Sequence, residues 1–333
     1  MNNIPLFVPC RRALLTATAA LAMAPLAAHG QSGAPWPNRP LRVIVPFAPG
    51  GPADGLARML GEQVLGPMLG QPVVVENRAG AGGVIGTAAA AQANDGHTLL
   101  FGSISMTIVP HLQAQPVGYD VLKDFTPLAQ IASTPFLLVV PAASPFRDVA
   151  GLVAAAKAKP RNLATANSGY GTLSHMTAEL FNRQAGVALE PVVYRGEGVL
   201  MPDLLGNAVG LGFLTLSTVL PHLRAGTLRA LAVADAARLP ELPEVPTLAE
   251  AGFPGIEVDG WQAMFAPRGT PPAAIERLST ILAKAMADPA VRARITTFGA
   301  VPASRPNANF VAMVPQEFRR WGALVKERNI RVE

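Results

Sequence analysis

The stretch from Val43 to Asp54 constrains the fold most, because it leads from a strand through a glycine-rich turn into a helix. The β-branched run Val43–Val45 is typical of a strand, and Pro52 suits the first helical turn, where its missing N–H would be unpaired. The apolar side chains that follow have the i, i+3, i+4 spacing of an amphipathic helix. They are Leu56, Met59, Leu60 and Val64. Such a turn exposes backbone N–H groups at a helix N-terminus, which is typical of an anion site.

A second stretch has the same organisation. The predicted strand Leu163–Ala166 ends in an Asn/Ser/Gly loop, and Thr172 is a predicted N-cap for a helix over Leu173–Ala185. A third turn of this kind is Tyr194–Gly198. Because ligands bind open α/β sheets at the carboxyl ends of the strands, we expect these helix starts to surround one cleft.

Strand-like and helix-like segments alternate along the rest of the chain, which predicts an α/β fold with largely parallel sheets. Ile131–Val140 is predicted as one long apolar strand with Pro135 inside it. A proline-rich connection over Leu239–Pro246 interrupts the alternation and predicts a passage between domains. A chain of 333 residues has the length of about two domains.

Residues 1–30 are predicted to be a secretory signal peptide. Arg11 and Arg12 form a positive start, Ala13–Ala24 is an apolar run too short for a good membrane span, and small residues precede a cleavage site near Gly30. The general secretory route and the twin-arginine route both stay open.

The single cysteine, Cys10, lies in this predicted leader, so the exported chain has no thiol. Disulfides, cysteine-ligated metals and cysteine nucleophiles are therefore excluded, and a bacterial periplasm is the favoured compartment. The net charge of +5 reflects a small excess of base in a chain only 15% charged, without any Lys/Arg block. We infer no binding to nucleic acid or to a membrane surface.

Motifs for catalysis, cofactors and metals are weak. The glycines of Gly80–Gly86 are not spaced as a dinucleotide fingerprint, and no Walker lysine follows any glycine loop. Ser168 does not lie in a Gly-x-Ser-x-Gly elbow, and the histidines do not have metal-ligand spacing. We predict no catalytic residue, no metal and no cofactor.

Long segments of the chain resemble the Bug family of periplasmic solute receptors, the substrate-binding components of tripartite tricarboxylate transporters. The matching segments are RPLRVIVPFAPGGPADGLAR (39–58), GQPVVVENRAGAGGVIGT (70–87), DGHTLLFGS (95–103), YDVLKDFTPLAQIAS (119–133), ANSGYGTLSHMTAELF (166–181), VVYRGEG (192–198), LPHLRAGTLRALAV (220–233) and LPEVPTLAEAGFPG (242–255). They cover essentially the whole of the predicted exported chain.

The resemblance implies a two-domain, Venus-flytrap fold of the type II periplasmic-binding-protein kind, each domain a mostly parallel sheet flanked by helices. The expected domains are residues 36–138 with 247–333, and residues 139–246. The chain is expected to cross between them twice, near Ile131–Val140 and between Leu239–Pro246 and Trp261.

The resemblance also implies ligand-binding residues, which hold a carboxylate by backbone N–H groups, hydroxyls and water. From the first domain these are Phe47, Ala48, Gly50, Gly51, Asp54, Ser103, Ser105 and Met106. From the second they are Asn167, Ser168, Gly169, Thr172, Tyr194, Leu214 and Thr215. Asp54 is expected to brace its loop. Leu214 and Thr215 stand where relatives often have Asp-Asn, which favours a ligand with an apolar or aromatic body.

The expected function is a monomeric periplasmic receptor that captures a small organic carboxylate (mono-, di-, tri- or aromatic) and docks on the membrane subunits of a tripartite transporter. Two alternatives stay open. One is an orphan receptor that presents its ligand to a sensor protein, and the other is a secreted enzyme.

Overall fold

The computed structural model describes residues 36–331. Contacts divide the chain into a short unit that ends at Asn38 and a compact unit that begins at Arg39. The predicted signal peptide, its cleavage near Gly30, and Cys10 lie outside the described residues, so these stay predictions. Every helix between residues 36 and 331 is too short or too polar to cross a membrane.

The first lobe is a six-stranded sheet with flanking helices. Its strands are β1 (Leu41–Val45), β2 (Val73–Asn77), β3 (Thr98–Ser103), β4 (Phe125–Ser133), β10 (Gln262–Pro267) and β11 (Val301–Pro302), in the order β11-β4-β10-β3-β1-β2. Its helices are α1 (Pro52–Leu60), α2 (Gly66–Leu69), α3 (Val84–Ala91), α4 (Ser105–Leu112), α5 (Val121–Asp124), α10 (Pro272–Ala287), α11 (Pro289–Thr296) and α12 (Asn307–Arg328). A π-helical turn, Gly61–Leu65, joins α1 to α2, and a 3₁₀ turn, Ala81–Gly83, precedes α3.

The second lobe is a five-stranded sheet. Its strands are β5 (Phe136–Pro141), β6 (Ala164–Asn167), β7 (Glu190–Val193), β8 (Leu211–Thr215) and β9 (Leu228–Val233), in the order β7-β6-β8-β5-β9. Its helices are α6 (Val149–Ala158), α7 (Leu173–Ala185), α8 (Glu197–Leu205) and α9 (Leu216–Arg224). The α/β class and the two flanked sheets predicted from the sequence are confirmed.

Both sheets are mixed, with most of their strands in one direction and a minority running against them. Four strands of each sheet share one direction, but within residues 36–331 five of the nine strand pairings are antiparallel. The reason lies in the crossings between lobes. β5 and β10 each enter a sheet from the edge where the neighbouring parallel strands end, so each runs against them. Both are inserted between other strands and therefore form two antiparallel pairs each.

The two crossings lie side by side. The predicted long strand Ile131–Val140 is wrong as a single element, because the chain leaves the first sheet at Ser133 and enters the second at Phe136. Pro135 forms a β-bridge with Asp259 on the return crossing. A Cβ added to Gly260 would lie 2.7 Å from the Thr134 carbonyl oxygen, so the return crossing has room only for glycine. The domain boundaries 36–138, 139–246 and 247–333 stay predictions.

Polar groups gather beside the crossings. Arg305 donates to Gln130 Oε1 and to Asp259 Oδ2, both at 2.9 Å, and Gln130 donates to the same Asp259 oxygen at 2.8 Å. Asp235, just after β9, is nearby and has a raised pKa. Burial is the main cause, and the charges of Asp259 and Glu257 add to it, while the Ala236 N–H and Arg305 oppose it.

This raised pKa predicts how stability changes with pH. A carboxyl whose folded pKa is raised stabilises the fold while it is protonated, and this contribution is lost as the pH rises through the folded pKa. We therefore expect Asp235→Asn to raise the thermal midpoint at pH 7. The gain should shrink to nothing near pH 4, where a free Asp titrates. Calorimetry over this range checks it, and a lower midpoint for the variant at pH 7 would show that the charge is favourable.

Candidate functional site

The first predicted loop lies between β1 and α1 and is held by a buried carboxylate. Asp54 accepts the Gly50 N–H at 2.9 Å and the Asn77 side-chain amide at 3.0 Å, and it pairs with Arg58 at 2.9 Å. Burial alone would raise the pKa of Asp54, but these partners outweigh it and the pKa is lowered. The carboxylate therefore holds its own loop and its neighbours in place.

The second predicted loop joins β6 to α7. Thr172 is the N-cap of α7, as predicted, but its hydroxyl donates to the Gly169 carbonyl oxygen at 2.7 Å instead of accepting a helix N–H. Ser168 Oγ lies 3.3 Å from Thr172 Oγ1. The N–H groups of the first turn of α7 have no partner inside the helix, which leaves them available to an anion.

His175, in the first turn of α7, contacts this loop through its ring. Its Nδ1 accepts the Gly171 N–H at 3.1 Å, and its ring lies 4.5 Å from the ring of Tyr170. An Nδ1 that accepts a hydrogen bond carries no proton, so the ring is neutral with its proton on Nε2. Burial lowers the pKa of His175, against the charge of Glu179, which agrees with a neutral ring. Its role is to shape the loop.

Two cavities lie between the loops. The hinge cavity, of about 330 Å³, is bounded by the start of α1, the end of β3, the two crossings and the start of α7. From the first loop and β3 it is lined by Phe47, Gly51, Pro52, Ala53, Ser103 and Ile104. From the crossings and α7 it is lined by Thr134, Phe136, Gly260, Trp261, Gln262 and Leu173. Both lobes therefore contribute to one pocket.

The outer cavity, of about 610 Å³, shares Phe47, Ser103, Ile104 and Leu173 with the hinge cavity. It extends toward the glycine turn Ala79–Gly83 on the first lobe and toward Tyr170–Thr172 on the second. Ala48 and Ser105 also line it, and Ser105 Oγ lies 2.7 Å from Ser103 Oγ. No lining residue of either cavity is charged, within the part of the chain that is described. A bound anion would therefore be held by N–H and hydroxyl donors.

The predicted site residues thus divide into two groups. Six of them line a cavity: Phe47, Gly51, Ser103, Ala48, Ser105 and Thr172. The others do not line either cavity: Gly50, Asp54, Met106, Asn167, Ser168, Gly169, Tyr194, Leu214 and Thr215. Of these, Gly50, Asp54, Asn167, Ser168 and Gly169 belong to the two loops and shape them.

The third predicted turn, Tyr194–Gly198, lines neither cavity. Tyr194 donates its hydroxyl to Asp203 at 2.7 Å, and Thr215 is bound through its N–H and hydroxyl to the Glu197 carboxylate at 3.1 and 2.6 Å. Glu197 occupies the first turn of α8, where it supplies the anion that a ligand would otherwise provide. Leu214 is fully buried in the core of the second lobe, so the structure does not place it on the pocket floor.

Sequence reasoning missed the crossing residues of the hinge cavity, Thr134, Phe136, Gly260 and Gln262, and treated Trp261 mainly as packing. Trp261 is fully buried against Phe265 and Phe310, with ring centroids at 5.8 and 5.5 Å, and also lines the cavity. The signals that point to them are Pro135 within an apolar run and the Gly-Trp pair before β10. Both mark places where the backbone must change direction or approach another segment closely.

Gly86 on α3 lets the backbone at the start of the first loop pack closely against this helix. A Cβ added to Gly86 would lie 2.7 Å from Pro46 Cα and 2.7 Å from the Arg78 carbonyl oxygen, and both are backbone atoms that cannot turn aside. We expect Gly86→Ala to displace the start of the loop and to cost about 1–3 kcal/mol of unfolding free energy. Gly198→Ala is the matched control, because its Cβ would meet nothing within 4 Å. Chemical denaturation of both variants tests this, and equal midpoints would contradict it.

The two lobes, the twice-crossing chain and a pocket between glycine-rich helix starts define the class of two-domain periplasmic binding proteins. A family model described as tripartite tricarboxylate transporter family receptor matches residues 56–330. The chain belongs to this family.

Relatives and solved structures agree with this assignment. The protein BugT of Bordetella pertussis is 38% identical over 300 residues, which cover 90% of this chain and 92% of BugT. A structure from R. palustris, Rpa4515 with adipate, is 35% identical with a TM-score of 0.73, over 89% of this chain and 99% of that one. MatC from Rhodopseudomonas palustris with bound malate is 33% identical with a TM-score of 0.70, over 87% and 100%.

Proposed function

We propose that this protein is a periplasmic receptor that captures a small organic carboxylate between its two lobes and delivers it to the membrane subunits of a tripartite transporter. The observation that carries the proposal is the hinge cavity, where the N-terminus of α1 from one lobe and that of α7 from the other line one pocket. Family membership supports the transporter, and the adipate and malate bound to the two R. palustris relatives support the ligand class.

The proposed ligand contacts come from both loops. The first loop supplies backbone groups of Phe47–Gly51, braced by Asp54, and Ser103 and Ser105 add hydroxyls. The second supplies Ser168, Thr172 and the first-turn N–H groups of α7. Ligand contacts to both lobes exist together only when the lobes approach, so binding favours the closed form. We propose a monomer that binds without catalysing a reaction and whose leader is removed near Gly30.

A thermal-shift screen of mono-, di-, tri- and aromatic carboxylates tests this function. A ligand that binds only the folded state raises the midpoint in a concentration-dependent way. We expect at least one class to do so, with a dissociation constant in the micromolar range, about −8 kcal/mol. The matching primary amides are the controls, because they keep the shape and lose the charge. If no acid raises the midpoint, or an amide does so equally, the proposal is wrong.

A further inference from the structure

We propose that the ligand is a monocarboxylate whose uncharged, apolar body fills the hinge cavity. This inference rests on the proposed function and specifies its ligand. Two features carry it. The groups that suit an anion lie at the helix starts, and the walls of the cavity behind them are apolar.

Neither cavity is lined by any Lys, Arg or His among the described residues, so the donors for an anion are the N–H and hydroxyl groups at the starts of α1 and α7. These donors suit a carboxylate at the helix starts. A second carboxylate among the apolar walls of the hinge cavity, away from both helix starts, would lose its water without gaining such donors, which is strongly unfavourable.

Large apolar side chains form most of the hinge cavity, from both lobes and both crossings: Phe47, Ile104, Phe136, Leu173 and Trp261. An apolar cavity of about 150 Å³ already admits benzene. The volume of about 330 Å³ here therefore has room for an aromatic ring with a substituent or for a branched chain.

The outer cavity provides the competing possibility. Its turn Ala79–Gly83 has positive φ at Gly80, Ala81, Gly82 and Gly83, and such turns present backbone N–H groups. A dicarboxylate that spans both cavities would use them. Nothing else at this turn indicates a second anion, whereas apolar side chains from both lobes form most of the wall of the hinge cavity.

Hexanoate and adipate distinguish a monocarboxylate ligand from a dicarboxylate ligand, because they have the same chain length and differ by one carboxylate. Calorimetric titration of the full exported chain should give tighter binding for hexanoate than for adipate, and benzoate should bind as well. Along the linear acids, affinity should rise about fourfold for each methylene added until the cavity is full. Tighter binding of adipate would overturn this inference while leaving the proposed function intact. If no carboxylate bound at all, the proposed function itself would fail.

Discussion

Replacing Ser168 and Thr172 together by alanine should weaken carboxylate binding by about tenfold or more. The two hydroxyls lie 3.3 Å apart at the start of α7, and the Thr172 hydroxyl donates its proton to the Gly169 carbonyl oxygen at 2.7 Å, so only Ser168 has a proton for the ligand. A hydrogen bond to a charged group contributes about 1.5–3 kcal/mol, and the loss of the Thr172 bond also loosens the loop that presents the first-turn N–H groups of α7. Titration calorimetry with the best ligand of the screen measures the change directly.

The control for this double variant lies on α10. Ser279 and Thr280 are likewise a serine and a threonine on one helix, but they line neither the hinge cavity nor the outer cavity. Their double alanine variant should bind like the unmodified protein. If the Ser168/Thr172 variant bound equally well while folding normally, the second lobe would hold its ligand elsewhere.

Removing the Arg305 side chain should have the largest effect on stability. Arg305 pairs with Asp259 and Gln130 beside both crossings, and Asp259 Oδ1 already has no partner among the described residues. Arg305→Met would leave Asp259 without a cation and close to Asp235. Loss of one partner of a buried pair costs about 3–5 kcal/mol, and because Arg305 is about a third exposed we expect about 2–3 kcal/mol. Chemical denaturation at neutral pH gives this value.

The double variant Arg305→Met/Asp259→Asn separates charge from packing. With the carboxylate neutralised, most of the lost stability should return, because the cost arises from an unpaired charge. A double variant as unstable as Arg305→Met would show instead that the arginine acts through its packing, for example against Met313, whose sulfur it approaches at 2.9 Å.

The sequence predicts local features of the site well. The Val43–Asp54 turn and the Asn167–Thr172 loop could be identified because proline, glycine and capping residues encode helix starts over a few positions. The bracing role of Asp54 follows from its place in the first turn. These loops depend on short-range backbone geometry, which residue types determine directly.

The hinge cavity could not be predicted in the same way. Thr134, Phe136 and Gly260 come together only because the two crossings pair across a long stretch of chain. The same holds for the mixed sheets, since a strand's direction depends on the edge from which it enters. Leu214 shows the converse: its position near a strand end indicated the cleft, but its side chain is fully buried in the core of the second lobe.

The central claim is that ligand binding joins the two lobes, and a distance between them tests it most directly. The only cysteine of the sequence is Cys10, in the predicted leader, so spin labels can be placed on the exported chain at Met68→Cys and Val199→Cys, both exposed and on different lobes. Pulsed electron paramagnetic resonance should give a shorter distance with saturating carboxylate than without it, and no change in the Ser168→Ala/Thr172→Ala background. An unchanged distance with a ligand that raises the thermal midpoint would contradict the account.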